Sequence, residues 1–248
     1  MNTVLLEDVL ADRDGIKVAK EIAENTVWDS LAKENPTHAV ISATDEEAAR
    51  KKSVTQIEDI KQHANENTVM LDLGCGYGRV AKYLLPEQKL KRYIGVDSSF
   101  EMLQLFKNRY FKAIEEQSTP VDFVNADIHT IPVKDQSIDL VIVCAVFLHN
   151  HKSVVRQSMS ELKRIIKPGG TLLVYSSFPR TFTFMGLQGH MYQGLLNLMG
   201  KPMKNGPVRY YCKKEIAKML SDFSEVTHIS SGFSILLILA YQDMQSQS

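Results

Sequence analysis

The spacing of apolar residues changes near residue 65. In Val4–Ala64, apolar side chains recur at mixed intervals of three and four, as at Ile16 and Ala19, which predicts amphipathic helices with a break near Asn35-Pro36. From Thr68 onward, short apolar runs such as VMLDL, YIGVD and IDLVIVCAV alternate with amphipathic stretches such as FEMLQLFKNRYF. This alternation predicts βαβ units around a parallel sheet.

The predicted strands are apolar throughout and end in small or acidic residues. Such strands are buried on both faces of a sheet, and ligands of open α/β sheets bind at their carboxyl ends. After Ser177 the pattern gives way to a stretch rich in Met, aromatic residues and Gly, which predicts an insertion over the sheet. The segment EVTHISSGFSILLILAYQ predicts an antiparallel pair of closing strands that meet near Ser230.

Composition and charge narrow the classes of partner. Lys plus Arg total 29 and Asp plus Glu total 29, so the chain has no net positive charge to attract nucleic acid. The start MNTVLLEDVLADRD has acids where a signal peptide needs bases, and the longest late apolar run, Ile235–Tyr241, is too short to span a bilayer. We therefore expect a cytoplasmic protein that binds no nucleic acid and has no stable membrane insertion.

The three cysteines, Cys75, Cys144 and Cys212, are widely spaced and form no CxxC pair. An odd number at such spacing argues against a disulfide framework and against a zinc site. We therefore expect a reduced compartment.

A glycine-rich turn follows the first predicted strand of the sheet. In DLGCGYG, residues 72–78, glycine occupies every second position, and an amphipathic helix follows. Glycine allows unusual backbone angles and lets a ligand approach the main chain closely. A dinucleotide fingerprint requires GxGxxG, and Arg79 occupies the place of its third glycine. The turn predicts a nucleotide-like ligand or, alternatively, a tight strand-to-helix turn with no ligand.

Acidic residues follow three successive predicted strands, at Asp72, Asp97 and Asp127. Asp97 lies about 20 residues beyond the glycines, where a carboxylate can accept two hydrogen bonds from a ribose diol. Asp127 can accept from an adenine amino group while Ile128 packs on the ring. Each acid alone is more often a helix cap or a solvated turn residue, but three at successive strand ends indicate a shared site.

Four segments together resemble the class I S-adenosylmethionine-dependent methyltransferases, specifically the small-molecule branch that includes the ubiquinone and menaquinone biosynthesis methyltransferases. The segments are LDLGCGYGRV, GVDSS, NADIHTIPVKDQSIDLVIVCAVFLH and ELKRIIKPGGTLLV, within Thr68–Ser177. The resemblance implies an α/β fold: a Rossmann-like, doubly wound, mostly parallel seven-stranded sheet with an antiparallel closing strand. It also implies an N-terminal helical lid over residues 1–64, a cofactor-binding methyltransferase domain over 65–248, and a substrate cap at about 178–211, inserted after the fifth strand.

The resemblance further implies which residues hold S-adenosyl-L-methionine. Asp72 and the backbone of Gly74–Gly76 would meet the methionine part, Asp97 the ribose, and Asp127 with Ile128 the adenine. Ser98 and Met102 would flank the ribose and adenine, and the backbone of Cys144 would lie near the sulfonium. The implied cofactor-binding residues are Asp72, Gly74, Cys75, Gly76, Asp97, Ser98, Met102, Asp127, Ile128 and Cys144.

Methyl transfer from a sulfonium is an in-line displacement, so alignment is the main task of the protein. A hydroxyl or acidic-carbon acceptor also benefits from a general base. His149 and His151 in CAVFLHNHKS are the nearest candidates for a base or an orienting group. Alternatively, His149 caps a helix or packs against the cofactor without transferring a proton. The two histidines could also suggest a metal pair, but no nearby acids complete a site, and we expect no metal.

The predicted cap favours an apolar, ring-containing or lipid-like acceptor, because methionines and aromatic residues form a pliable apolar wall. The alternative is a small core beneath the insertion, and both interpretations can hold. The candidate substrate contacts are His151, Phe178, Met185, His190, Tyr192 and Tyr210.

The end of the fourth strand narrows the acceptor atom. Its CAVF lacks the [DNS]PP[YF] motif of amide and base nitrogen methylation. Cys144 has no preceding proline and no adjacent base, so a buried structural cysteine is a better interpretation than a nucleophile of cytosine methylation.

Three functions remain from the sequence. The first is methyl transfer to a small molecule at oxygen, nitrogen or carbon, by a monomer or homodimer. The second is a catalytically silent S-adenosylmethionine-binding module that regulates or scaffolds a partner. The third is an NAD-dependent oxidoreductase, which the absent third dinucleotide glycine and the acid at Asp127 disfavour.

Overall fold

The structure is a computed structural model that describes residues 9–19, 26–34, 46–110, 119–176, 225–229 and 235–240, together with single residues 6, 22 and 218. Nine strands form one sheet in these ranges. They are β1 Val9–Arg13, β2 Ile16–Ala19, β3 Val69–Leu73, β4 Arg92–Asp97, β5 Val121–Asn125, β6 Ile138–Cys144, β7 Ile166–Ser176, β8 Glu225–Ile229 and β9 Ile235–Ala240.

The order of the strands is β1-β2-β5-β4-β3-β6-β7-β9-β8. Strands β2 to β7 pair in parallel where they are neighbours, and β9 runs antiparallel to both β7 and β8. The seven strands β3 to β9 therefore confirm the predicted sheet, including its antiparallel closing strand. Because the chain moves from β3 to one side through β4 and to the other side through β6, a crevice opens at the carboxyl end of β3.

The helices cover both faces of the sheet. They are α1 Thr26–Glu34, α2 Glu46–Gln62, α3 Arg79–Leu84, α4 Phe100–Leu105 and α5 Lys152–Ile165. A π-helical turn, Phe106–Tyr110, extends α4, and a 3-10 turn, Phe147–His149, precedes α5. One apolar core lies between the sheet and α5, and a second lies between the sheet and α2, α3 and α4.

Strand β3 shows how the sequence produces this doubly wound arrangement. All five of its residues are buried. Val69, Leu71 and Leu73 belong to the core on the α5 face, whereas Met70 belongs to the opposite core. Because successive side chains of a strand point to opposite faces, a run that is apolar at all positions but Asp72 fits a strand that is covered on both sides.

The prediction of helix is wrong for residues 9–19, where β1 and β2 form a hairpin at the edge of the sheet. Asp14 and Gly15 both have positive φ, 54° and 72°, as in the tight turns that suit two-residue hairpins. The Asp12 carboxylate accepts a hydrogen bond from the Gly15 backbone N–H at 2.7 Å. This turn chemistry and the pairing of β2 with β5 override the three-and-four spacing, and helix begins at Thr26.

Several predicted features fall on other parts of the chain. The break near Asn35-Pro36 and the cap at about 178–211 lie outside the described residues. The closing strand pair is confirmed by β8 and β9. The division of the chain at residue 64 and the covering role of the N-terminal part stay predictions. Within the described ranges, no helix has the length and apolar composition needed to cross a bilayer.

Candidate functional site

The glycine-rich turn is shaped by close contacts with neighbouring elements. Gly74 has φ 71°, and a Cβ there would lie 2.3 Å from a methyl carbon of Val146, just beyond β6. Gly78 has φ 81°, and a Cβ there would lie 2.1 Å from the ring of Phe106. Side chains rarely adopt these angles and would clash here. Gly74 therefore lets the residues after β6 approach the glycine-rich turn. Gly78 lets Phe106, in the π-helical turn after α4, pack against it.

Four backbone N–H groups of this turn, those of Gly74, Cys75, Gly76 and Gly78, are already used within the protein. Gly74 and Cys75 both donate to the carbonyl of Val96, at 2.7 and 3.0 Å. Gly76 donates to the Asp97 carboxylate at 2.7 Å, and Gly78 donates to the Cys75 carbonyl at 3.0 Å. The turn thus presents bare main chain to a ligand, and these four N–H groups are not available to cradle a phosphate.

Asp97 ends β4 with its carboxylate fixed by the backbone. One oxygen accepts from Gly76 N–H, and the other accepts from Ser99 N–H at 2.8 Å. Burial raises the pKa of Asp97 to about 6; the two backbone hydrogen bonds lower it, and the charge of Asp29 raises it. Each oxygen keeps a second lone pair, so the carboxylate can still accept hydrogen bonds from a ligand.

A cavity of about 260 Å³ lies at the crevice beyond β3. Its β4 side consists of residues that follow β4 and β5, and its β6 side of residues that end or follow β6. The β4 side is formed by Asp97, Ser98, Met102, Asp127, Ile128 and His129, and the β6 side by Cys144, Ala145, Val146, His149, Asn150 and Val154. Gly74 and Gly76 lie between the two sides, and Trp28 of α1 completes the lining.

Most of the predicted cofactor residues line this cavity: Gly74, Gly76, Asp97, Ser98, Met102, Asp127, Ile128 and Cys144. Asp72 and Cys75 are buried and are not part of the lining. His149 lines the cavity. His151 does not, because it caps α5, with its Nδ1 2.9 Å from the hydroxyl of Ser153. Phe178, Met185, His190, Tyr192 and Tyr210 lie outside the described residues.

Comparison with known proteins identifies the family. A family model described as "Methyltransferase domain" matches residues 71–174. A demethylmenaquinone methyltransferase from Chlamydia caviae is 30% identical over 170 residues, which are 67% of this chain and 70% of that protein. The chain belongs to the class I S-adenosylmethionine-dependent methyltransferases.

This methyltransferase-family chain is also similar to other curated proteins and to solved structures. The phthiotriol/phenolphthiotriol dimycocerosates methyltransferase of Mycobacterium tuberculosis is 30% identical over 102 residues, 41% of this chain and 34% of that protein. The YcgJ protein from Bacillus subtilis shares the fold, with a TM-score of 0.56, 21% identity, and coverage of 73% of this chain and 71% of that one. The chain spans less than half the length of some curated relatives, 45% and 34% in two cases.

The residues present fit the cofactor of this family. The described lining contains two carboxylates, Asp97 and Asp127, and no lysine or arginine. Such a wall suits a ligand with a cationic sulfonium and an ammonium group, and it disfavours the pyrophosphate of a dinucleotide. Among the described residues, no group of three or more His, Cys, Asp or Glu side chains is arranged to hold a metal ion.

Asp72 is a buried acid behind the glycine turn. Tyr93 donates its hydroxyl hydrogen to one carboxylate oxygen at 2.5 Å, while the other oxygen has no hydrogen-bond partner among the described residues. Burial raises the pKa of Asp72 to about 7, opposed by the Tyr93 hydrogen bond and by the charge of Arg79. An unpaired buried acceptor next to the methyltransferase motif is consistent with a cationic group binding nearby.

Six lining residues were not predicted from the sequence: Trp28, His129, Ala145, Val146, Asn150 and Val154. His129, Ala145 and Val146 lie inside the segment NADIHTIPVKDQSIDLVIVCAVFLH, and Asn150 follows it directly, so their place in or beside this segment was the signal that could have identified them. Ala145 has φ 60° and donates its N–H to Tyr175 at 2.7 Å, which turns the chain out of β6 toward Gly74. A left-handed alanine stores strain, as is common at functional sites.

Proposed function

We propose that this protein transfers the methyl group of S-adenosylmethionine to a small acceptor, apolar or ring-containing, at oxygen, nitrogen or carbon. The observation that carries the proposal is the electrostatic character of the cavity. Two carboxylates face it, no lysine or arginine is in its described lining, and the N–H groups of Gly74, Cys75, Gly76 and Gly78 are engaged internally. A cationic nucleoside therefore matches this cavity better than an anionic dinucleotide.

Each side of the cavity has a role in holding the cofactor. Asp97 accepts hydrogen bonds from the ribose hydroxyls. Backbone donors hold both of its oxygens in place, and each oxygen keeps a second lone pair for the ligand. Asp127 and Ile128 meet the adenine, with Ser98 and Met102 beside it. Gly74 and Gly76 and the Cys144 backbone meet the methionine part, and Asp72 supports this part of the site from behind the glycine turn.

The cofactor supplies a methyl group on a sulfonium, an electrophile that needs no further activation by the protein. The residues of the chain then align the acceptor and exclude water. Val146, Val154 and Trp28 give the β6 side an apolar wall. His149 orients the acceptor, or takes its proton when the acceptor is a hydroxyl or an acidic carbon.

The acceptor is expected to bind between the β6 side and the residues of the predicted cap. Phe178, Met185, His190, Tyr192 and Tyr210 are the candidate contacts there. Two relatives carry names that contain a quinone and a phenol, demethylmenaquinone and phenolphthiotriol, which supports a ring-containing acceptor. Within residues 1–64, α1 acts as a cover over the crevice through Trp28, and the protein works as a monomer or homodimer.

Calorimetric titration with S-adenosylhomocysteine and with NADH tests the cofactor. Binding of S-adenosylhomocysteine alone is the expected result, and binding of NADH alone would overturn the proposal. Incubation with labelled S-adenosylmethionine and a panel of phenols, quinols, amines and carboxylic acids then tests the activity. Transfer to a phenol or quinol is expected. Tight binding without transfer to any acceptor would instead indicate a silent binding module.

A further inference from the structure

Two charged residues of the segment ELKRIIKPGGTLLV, Glu161 and Arg164, lie in the last two turns of α5 and do not line the cavity. Their side chains instead bond to the β5–β6 loop, residues 126–137. This loop supplies three successive residues of the cavity lining. They are Asp127, Ile128 and His129. A polar contact between α5 and the β5–β6 loop therefore bears on the cofactor site.

The cavity-facing part of the loop is one turn, residues 127–130. The Thr130 N–H donates to the Asp127 carbonyl at 3.2 Å, which closes the turn. Before the turn, the Ala126 N–H donates to a carbonyl at the end of β4, at 3.1 Å. Ile131 follows the turn directly. The position of the turn is therefore set by β4 at one end and by the surroundings of Ile131 at the other.

Glu161 and Arg164 hold the backbone on the far side of the turn. The Glu161 carboxylate accepts from the Ile131 N–H at 2.9 Å. The Arg164 guanidinium donates to the Ile131 carbonyl at 2.8 Å and to the Val133 carbonyl at 2.7 Å. It also donates to both oxygens of Glu161, at 3.0 and 2.8 Å. Because a guanidinium is planar and this pairing is bidentate, the two side chains form a rigid fork.

Packing holds the same part of the loop together with the fork. Ile131 and Val133 are 2% and 1% exposed, and both belong to the core on the α5 face. Apolar packing is not directional, whereas hydrogen bonds have preferred distances and angles. Loss of the fork should therefore leave the loop folded and change the place of the 127–130 turn.

The opposite end of α5 carries part of the β6 side. Val154 lines the cavity, and His151 caps the start of the helix. The helix has 14 residues, a length of about 21 Å. One rigid helix thus contributes to the acceptor side of the cavity at its start and holds the opposite side near its end.

We propose that Glu161 and Arg164 are positioning residues for the 127–130 turn, and through it for the Asp127 carboxylate against the adenine of the cofactor. The identity of this ligand rests on the proposed function, but the hold of the fork on the turn does not. The fork sets the place at which Asp127 accepts from the adenine amino group. It therefore contributes to the preference for adenine over a base that lacks this group.

Amide hydrogen exchange tests the hold on the loop in the protein without any cofactor. Glu161→Ala removes the acceptor of the Ile131 N–H, and exchange at Ile131 should become faster by about fivefold or more. Asp135→Asn is the matched control. Asp135 bonds to the Arg164 guanidinium at 2.7 Å, but its side chain is 71% exposed and leaves the bonds to Ile131 in place. Unchanged exchange at Ile131 in folded Glu161→Ala would overturn the proposal.

Calorimetric titration with S-adenosylhomocysteine and S-inosylhomocysteine tests the consequence for the cofactor. In the second ligand a carbonyl replaces the amino group of the base. The wild type should prefer S-adenosylhomocysteine by roughly tenfold or more. Arg164→Lys keeps the charge but not the planar fork, and it should lower this preference by about threefold or more, as should Glu161→Ala. Asp135→Asn should keep the preference. An unchanged preference in folded Arg164→Lys and Glu161→Ala would overturn the proposal.

A destabilised variant distinguishes positioning from general stability. Ile60→Ala removes a fully buried side chain from the opposite core, so it should lower the free energy of unfolding and leave the preference unchanged. An equal loss of preference in Ile60→Ala would assign the effect to stability and contradict positioning. A wild type that fails to bind S-adenosylhomocysteine would sink the proposed function and leave the exchange result intact. Binding by the wild type with no preference between the two ligands would sink only the role of the turn.

Discussion

The two sides of the cavity are built by different means. On the β4 side, backbone N–H groups from the glycine turn and the next loop hold Asp97, and all the partners lie within the stretch from Gly76 to Ser99. On the β6 side, the ring of His149 is packed by Trp28, which is more than a hundred residues away in the chain. The first side is rigid because of local hydrogen bonds, and the second depends on how a separate helix docks.

The largest expected effect comes from the turn between the two sides. Gly78→Ala would place a Cβ 2.1 Å from the Phe106 ring at φ 81°. The strained backbone and the clash together should lower the free energy of unfolding by roughly 2 to 5 kcal/mol. Urea denaturation measures the change. Gly169→Ala is the matched control, because Gly169 has φ 78° but no atom within 4 Å of the added Cβ, so it should lose only about 1 to 2 kcal/mol. Equal losses would show that packing against Phe106 is unimportant.

The second largest effect is expected on cofactor binding, when the fixed carboxylate on the β4 side is removed. Asp97→Ala deletes the group that accepts hydrogen bonds from the ribose. Binding of S-adenosylhomocysteine should become weaker by roughly 1.5 to 3 kcal/mol. Titration calorimetry measures the affinity. Asp97→Asn, which keeps one accepting oxygen, should lose less. Unchanged affinity in folded Asp97→Ala would remove Asp97 from the binding site.

Stability should fall with rising pH between about 4 and about 7, because Asp72 and Asp97 hold protons in the folded state that they lose in the unfolded state. Burial raises the folded pKa of Asp72 to about 7 and that of Asp97 to about 6, above the ordinary value of 3.8. Each group contributes at most about 1.4 kcal/mol per pH unit.

Denaturation curves of two variants separate these contributions. Asp72→Asn should flatten the dependence between pH 6 and pH 7, and Asp97→Asn should flatten it only at lower pH. A pH profile that neither substitution alters would show that both acids are ionised throughout this window.

The smallest effect tests strain on the β6 side. Ala145 has φ 60°, an angle that strains any residue except glycine. Ala145→Gly should relieve this strain by more than the cost of the extra freedom that glycine gives the unfolded chain. The free energy of unfolding should therefore rise by about 0.5 to 1 kcal/mol. Gln136→Gly, at φ 46° in a turn that does not line the cavity, should give a similar gain with no change in cofactor binding. Destabilisation by Ala145→Gly would mean that its methyl group has a packing role.

The difference between the two sides also explains what the sequence revealed. Asp97 ends β4 and Asp127 lies two residues beyond β5. Because the sheet brings such strand ends together, their place beside the cavity could be predicted. Trp28 carries no such signal, because its approach to His149 depends on the path of the chain between α1 and the sheet. The β1-β2 hairpin was missed for a related reason. Its apolar spacing resembles a helix, and only Asp14-Gly15 in the turn indicates a hairpin.

The hairpin has a consequence for association between molecules. Strand β2 pairs with β5 at Lys17 and Val18, and the Lys17 ammonium forms an ion pair with Asp122. Without residues 9–19, the backbone of Val121–Asn125 would be an open edge, the kind of surface on which foreign strands add and aggregates grow. The new outer strand, β1, has a register irregularity between Val9 and Ala11 and the charged pair Asp12 and Arg13. A chain that begins at residue 65 should therefore aggregate more readily than the full chain.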